Sequence, residues 1–142
     1  ENKIKLSCIL YSLNLIKILT VENQTNKNIY NQFFRLFELL NEENWIKKFI
    51  FWELEIIKIV GYDINFNDYV NNLQSKDKQS YVFTFDGSKK IPTFLLKKDD
   101  SKIDNNELKD GLKIVGDFLN KSVLIPSNIN YPPSRTEFTK LI

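Results

Sequence analysis

Histidine and methionine are absent from the 142 residues, and cysteine occurs once, as Cys8. A lone cysteine closes no disulfide within the chain, and without histidine the common zinc ligand sets cannot be assembled. The same absence leaves Cys8 and the serine and threonine hydroxyls with no imidazole to activate them. No metal, no cofactor and no enzymatic activity are therefore expected. Glycine is scarce, and Gly61, Gly87, Gly111 and Gly116 stand alone, so no phosphate-cradling loop is spelled. Gly111 and Gly116 fall inside a helical pattern, where they suit close packing better than ligand contact. Arginine is reduced to Arg35 and Arg135. The lysine excess over it fits an AT-rich coding bias and carries no functional weight. Long uninterrupted apolar runs are missing too. The segment 4–21 is broken by Lys5, Asn14 and Lys17 and has no small-residue cleavage site, so it reads as an amphipathic helix rather than a signal peptide or a span. The cytosol is the default compartment. The chain begins at Glu1 without a methionine, and an upstream continuation of the reading frame is expected.

What is present argues for one packed unit. Hydrophobic residues make up 42% and aromatics 13%, enough for a real core, and a net charge of +2 gives no overall footprint for nucleic acid. Residues 41–66 are the organising stretch. Trp45, Phe49, Trp52, Ile56 and Val60 recur at helical spacing, and Ile46, Ile50, Leu54 and Ile57 widen the stripe until most of the helix surface is apolar. Asn41 is placed to cap this helix, and Gly61 to end it in a left-handed conformation.

Around it the pattern predicts a helix over 3–21 burying Leu6, Ile9, Leu10, Leu13, Ile16 and Leu19, with Tyr11 and Leu15 at its flanks. A second helix over 29–40 buries Phe33, Phe34, Phe37 and Leu40. Tyr62, Ile64 and Phe66 alternate as an extended exit from the core helix. Tyr69, Val70 and Leu73 could make a short amphipathic turn. Residues 81–85 and 90–94 flank Asp86-Gly87-Ser88 as a small hairpin, which must lie on the helices because two strands alone are not stable. A fourth helix covers 107–122 through Leu108, Leu112, Val115, Phe118 and Leu119, and Pro133 suits the first turn of a last one. The fold class is mostly α: a single helical-bundle domain over residues 1–142, with about five helices and one small β-hairpin.

Three segments carry a resemblance. Trp52-Glu53-Leu54 leading to Gly61-Tyr62-Asp63-Ile64-Asn65-Phe66, the Tyr81-Val82-Phe83 ribbon with its glycine turn, and the run from Gly116 through Pro126 to Tyr131-Pro132-Pro133-Ser134-Arg135 occur in the order in which they occur in the RecO family of DNA-repair proteins. The chain resembles the helical C-terminal domain of that family, nearest its alphaproteobacterial branch, without the N-terminal OB-fold. The resemblance implies a non-catalytic recombination mediator. The complete protein would bind and anneal single- and double-stranded DNA, largely through the OB-fold. It would contact the acidic C-terminal tail of single-stranded DNA-binding protein, and act with RecR to load RecA. Many relatives hold a small zinc site after the core helix; here Tyr69 stands nearest its first cysteine and no partner follows, so zinc is excluded on ligand count. Many also carry arginine where this chain has Phe51. The alternative is a helical protein-interaction module with no DNA role, separable by whether an OB-barrel pattern precedes the chain in the gene.

The candidate sites are basic. Lys47, Lys48 and Lys58 could edge an apolar groove beside Trp45, Phe49 and Phe51, suited to an acidic tail with an aromatic end, and Arg135 is the next candidate. The plain reading is that these lysines are solvated and pair with Glu43 and nearby acids. Lys89, Lys90, Lys97 and Lys98 flank the second strand and could touch phosphates. Single-strand stacking would need exposed rings among them, whereas Tyr81, Phe83 and Phe85 are expected to face the core because the hairpin needs an apolar face. Glu53 and Glu55, two apart on a helix, point to different faces and cannot share a catalytic cleft. Glu53 is expected to be buried and satisfied by a hydrogen bond or a lysine, and Glu55 to face solvent.

Overall fold

A computed structural model describes residues 2–20, 27–70, 81–85, 87, 89–97 and 101–142. Among them are five α-helices: α1 (Asn2–Thr20), α2 (Lys27–Leu39), α3 (Trp45–Ile59), α4 (Asn105–Phe118) and α5 (Pro133–Lys140). A two-stranded antiparallel ribbon, β1 (Tyr81–Phe83) and β2 (Lys90–Pro92), lies between α3 and α4 in sequence. The expected mostly-α bundle with one hairpin is the fold observed.

α3 is the central element, as its near-continuous apolar surface requires. Phe49, Ile50, Ile56 and Ile57 are fully enclosed, with α2 and α4 packed on it. Its end is a Schellman motif: the Tyr62 amide donates to the Ile57 carbonyl at 3.1 Å, the Gly61 amide to that of Lys58 at 3.0 Å, and Gly61 has φ 107°. Its start differs from expectation. Asn44, at φ 57°, is the residue before the first turn, whereas Asn41 lies back in the connection with its amide 3.4 Å from the Phe37 carbonyl. α4 is capped by Asp104, whose carboxylate accepts from the Glu107 amide at 2.8 Å. It continues as a π-helical turn over Leu119–Leu124, which keeps Leu119, Val123 and Leu124 in the core. Pro133 occupies the first turn of α5. The exit over 62–65 forms no strand and leads into a 3₁₀ turn, Phe66–Tyr69; Leu73 lies outside the described residues.

Two helices are rotated from the faces their spacing suggests. In α1 the buried residues are Cys8, Tyr11, Ser12, Leu15 and Leu19, while Leu6, Leu10 and Leu13 are exposed. Apolar residues run nearly right round α1, so periodicity does not choose a face. The choice falls to the Tyr11 hydroxyl, which reaches Glu53 on α3, and to the small Cys8 and Ser12. In α2 and the turn after it, Ile29, Leu36, Leu39 and Leu40 are buried, and Phe34 and Phe37 face outward. The Trp52 indole donates to the Gln32 carbonyl at 2.6 Å, which seats the Gln32 side of α2 on α3.

In the ribbon, Val82 pairs with Ile91, and both are buried. Phe94, in the 3₁₀ turn after β2, lies against α4 at Gly111, where a Cβ would come within 2.5 Å of its ring. The close approach expected of Gly111 is thus made by a turn rather than by a helix.

Candidate functional site

Glu53 and Arg135 form a buried ion pair between α3 and α5, 0% and 2% exposed. The guanidinium donates from Nε to one Glu53 oxygen at 2.8 Å and from Nη2 to the other at 2.9 Å. Nη2 also donates to the Leu112 carbonyl at 2.8 Å, and Nη1 to the Tyr131 hydroxyl at 2.8 Å. The Tyr11 hydroxyl gives Glu53 a further short hydrogen bond. Gly116 makes room for this: a Cβ there would sit 2.3 Å from Arg135 Nη1.

Burial alone would lower the Arg135 pKa, but the Glu53 charge and its hydrogen bonds hold it well above the ordinary arginine value. Burial, then the Glu53 charge, pushes the Tyr11 phenol well up, and burial raises the Cys8 thiol. No buried side-chain polar atom among the described residues lacks a partner. A bidentate, desolvated and satisfied pair has no free position for a ligand, so its work is structural. Arg135, named above as a candidate for tail binding, is therefore removed from the surface. Glu53 is buried and hydrogen-bonded as expected, by Tyr11, and its charged partner is an arginine 82 residues away rather than a lysine. Glu55 is half-buried rather than in open solvent.

The lysines of α3 do not converge. Lys47, expected on an exposed edge, is 4% exposed, with its ammonium donating to the Ser101 carbonyl at 2.7 Å. It lines a niche of about 230 Å³ with Asn44, Trp45, Ile46, Ile103 and Leu108. Lys48 pairs with Glu42 at 3.0 Å in a separate cleft between α2 and α3, where Glu38, Glu42 and Glu55 outnumber Arg35 and Lys48. Lys58 lies in a third hollow with Glu55 and Asp63. Residues 47 and 48 lie about 100° apart around a helix of 3.6 residues per turn, which is why adjacent lysines serve different clefts. Phe49, assigned above to the groove, is wholly in the core.

The ribbon departs from expectation in the opposite direction. Its inner face is Val82, Ile91 and Val70, and Phe83 and Phe85 are 65% and 63% exposed rather than in the core. Tyr69 is exposed as well, and the Phe85 amide donates to its carbonyl at 3.0 Å, which sets the two residues side by side. Tyr81 is half-buried. Its hydroxyl donates to Asp110 at 2.6 Å, which raises its pKa, and its ring carries the Lys90 ammonium 4.5 Å from the centroid. Lys89, Lys90 and Lys97 are exposed; Lys98 lies outside the described residues. The aliphatic residues Val70, Val82 and Ile91 suffice for the core side, which frees the rings. That division was hidden in the sequence, because the set that faces outward, Tyr81, Phe83 and Phe85, is the more aromatic of the two and Thr84 stands in the set that faces inward.

Among the described residues no group of three or more histidine, cysteine, aspartate or glutamate side chains could hold a metal ion, and no helix is long and apolar enough to cross a membrane. In comparisons with known proteins, the family model for the recombination protein O C terminal matches residues 1–127. No curated protein matches, and no solved structure does.

Proposed function

The chain belongs to the recombination protein O C-terminal family, a recombination-mediator domain of DNA repair, and from that premise we propose how it acts. The complete protein binds and anneals single- and double-stranded DNA, contacts the acidic tail of single-stranded DNA-binding protein, and works with RecR to load RecA. Its role is to hold and exchange partners, with no covalent chemistry. The family match carries the reading.

For the tail contact, the niche at the start of α3 is the best-suited of the three hollows. An aromatic end would enter among Trp45, Ile46, Ile103 and Leu108, and the tail's carboxylates would have to displace the contacts Lys47 already makes, among them its bond to the Ser101 carbonyl. The clefts holding Lys48 and Lys58 carry more acids than bases and suit an acidic peptide poorly.

A fluorescent peptide, acidic and ending in an aromatic residue, titrated into the protein at two salt concentrations tests this. Tail binding weakens with salt, drops tenfold or more in Ile103→Glu, where a carboxylate enters the niche, and is unchanged in Lys48→Glu. Equal affinity for the wild type and Ile103→Glu would remove the tail from the niche. The absence of any binding would remove it from this domain.

A further inference from the structure

We infer that the outward face of the ribbon is a binding site for single-stranded nucleic acid, with Phe83 and Phe85 as stacking platforms and Lys89 and Lys90 as phosphate contacts. This locates a nucleic-acid contact on the present chain and so rests on the DNA reading above. The argument starts from cost: two phenylalanine rings left about two-thirds in water, on a ribbon whose other face is buried, forgo the burial their area could supply. A phenylalanine has no polar atom to keep it in solvent. Tyr69 adds a third ring beside Phe85, giving a row of aromatics with no aliphatic residue among them in the described part of the chain.

The spacing fits a base. Phe83 and Phe85 are two residues apart, with Thr84 bridged to Val70 between them. At strand geometry that separation is about 6.4–6.8 Å, and twice the ~3.4 Å repeat of stacked bases is the room one base needs between two rings. Stacking of this kind accepts any base.

The charges fit the backbone. Lys90 pairs with Phe83 across the ribbon, and Lys89 precedes it at the turn, both exposed, so cations border the rings. Asp110 is engaged by the Tyr81 hydroxyl; the exposed Asp68 next to Tyr69 makes that end of the row less basic. A duplex has its base faces covered, so this row of rings selects unpaired strands.

Fluorescence anisotropy tests it, using labelled oligothymidylate, oligouridylate and a duplex of equal length, with the 142-residue protein. The single strands bind more tightly than the duplex, and comparison of thymidylate with uridylate decides between DNA and RNA. The doubles Phe83→Ala/Phe85→Ala and Phe83→Leu/Phe85→Leu each lose about 30-fold or more in single-strand affinity. Phe34→Ala, which removes an exposed ring on α2, loses nothing. Lys89→Ala/Lys90→Ala lowers the slope of log affinity against log salt by about 1.4. Circular dichroism and the thermal midpoint confirm folding, and Phe85→Ala alone serves if a double fails. If the wild type binds and the ring variants bind equally well, the ribbon is not the site, although the DNA reading stands. If the leucine double keeps the affinity that the alanine double loses, the face is a generic apolar contact and stacking is refuted. If the wild type binds no nucleic acid, the inference falls together with the DNA reading for this domain.

Discussion

Replacing Arg135 by methionine keeps an unbranched side chain on α5 but removes its charge. The loss is specific: two hydrogen bonds to Glu53, one to the Leu112 carbonyl and one to Tyr131. Glu53 would keep the Tyr11 hydroxyl but no countercharge, at a position with no solvent access. Breaking a buried pair from one side typically costs about 3–5 kcal/mol, because an uncompensated charge is left behind. That is a large share of the roughly 5–15 kcal/mol of a whole domain. The magnitude therefore lies in the orphaned partner more than in the lost contacts. It follows that Glu53→Leu/Arg135→Met, which removes both charges, should be more stable than Arg135→Met by at least about 1 kcal/mol. Urea unfolding followed by tryptophan fluorescence reads this directly, since Trp52 is buried and stacked on Phe49 at 5.5 Å. A single-variant cost below about 1 kcal/mol, or simple addition of the two single costs in the double, would show that the pair is not the buried, saturated unit described.

Two further outcomes are expected. Trp52→Ala removes a buried ring stacked on Phe49 and the donor to the Gln32 carbonyl, and should cost about 3–5 kcal/mol in the same assay, whereas a loss under about 1 kcal/mol would contradict its burial. Stability should hold through neutral pH and fall as pH rises past the ordinary values of 9.0 for Cys8 and 10.0 for Tyr11. Both pKa values are raised by folding, so above those values the unfolded chain releases protons that the native state retains. Urea midpoints taken from pH 7 to 10.5 check the direction, and a rising midpoint would oppose it.

The α3 frame was legible because its apolar residues cover most of the helix and Gly61 marks its end. The faces of α1 and α2 were not. Leu6, Leu10 and Leu13 form as good a stripe as Tyr11, Leu15 and Leu19, and only a polar contact with another helix, Tyr11 to Glu53, separates them. The same limit applies to Lys47 and Lys48, which adjacency in sequence grouped and helix geometry split. The pairing of Glu53 with Arg135 spans most of the chain, so no local pattern points to it. A signal existed nonetheless: a carboxylate inside an apolar helix needs a strong partner, and the chain has only two arginines.

The family match stops at residue 127, whereas the guanidinium that neutralises Glu53 sits at 135, on an eight-residue helix. A shortened protein trimmed to the matched boundary would keep the carboxylate and discard its countercharge. It would also uncover the side of α1 that packs on α5, where Asn14 reaches Ser134 at 2.8 Å. The smallest unit fit for expression or crystallisation therefore runs past the matched family region to the end of α5, and cleavage by a protease in the 127–132 connection would be expected to unfold the domain rather than to release a stable core.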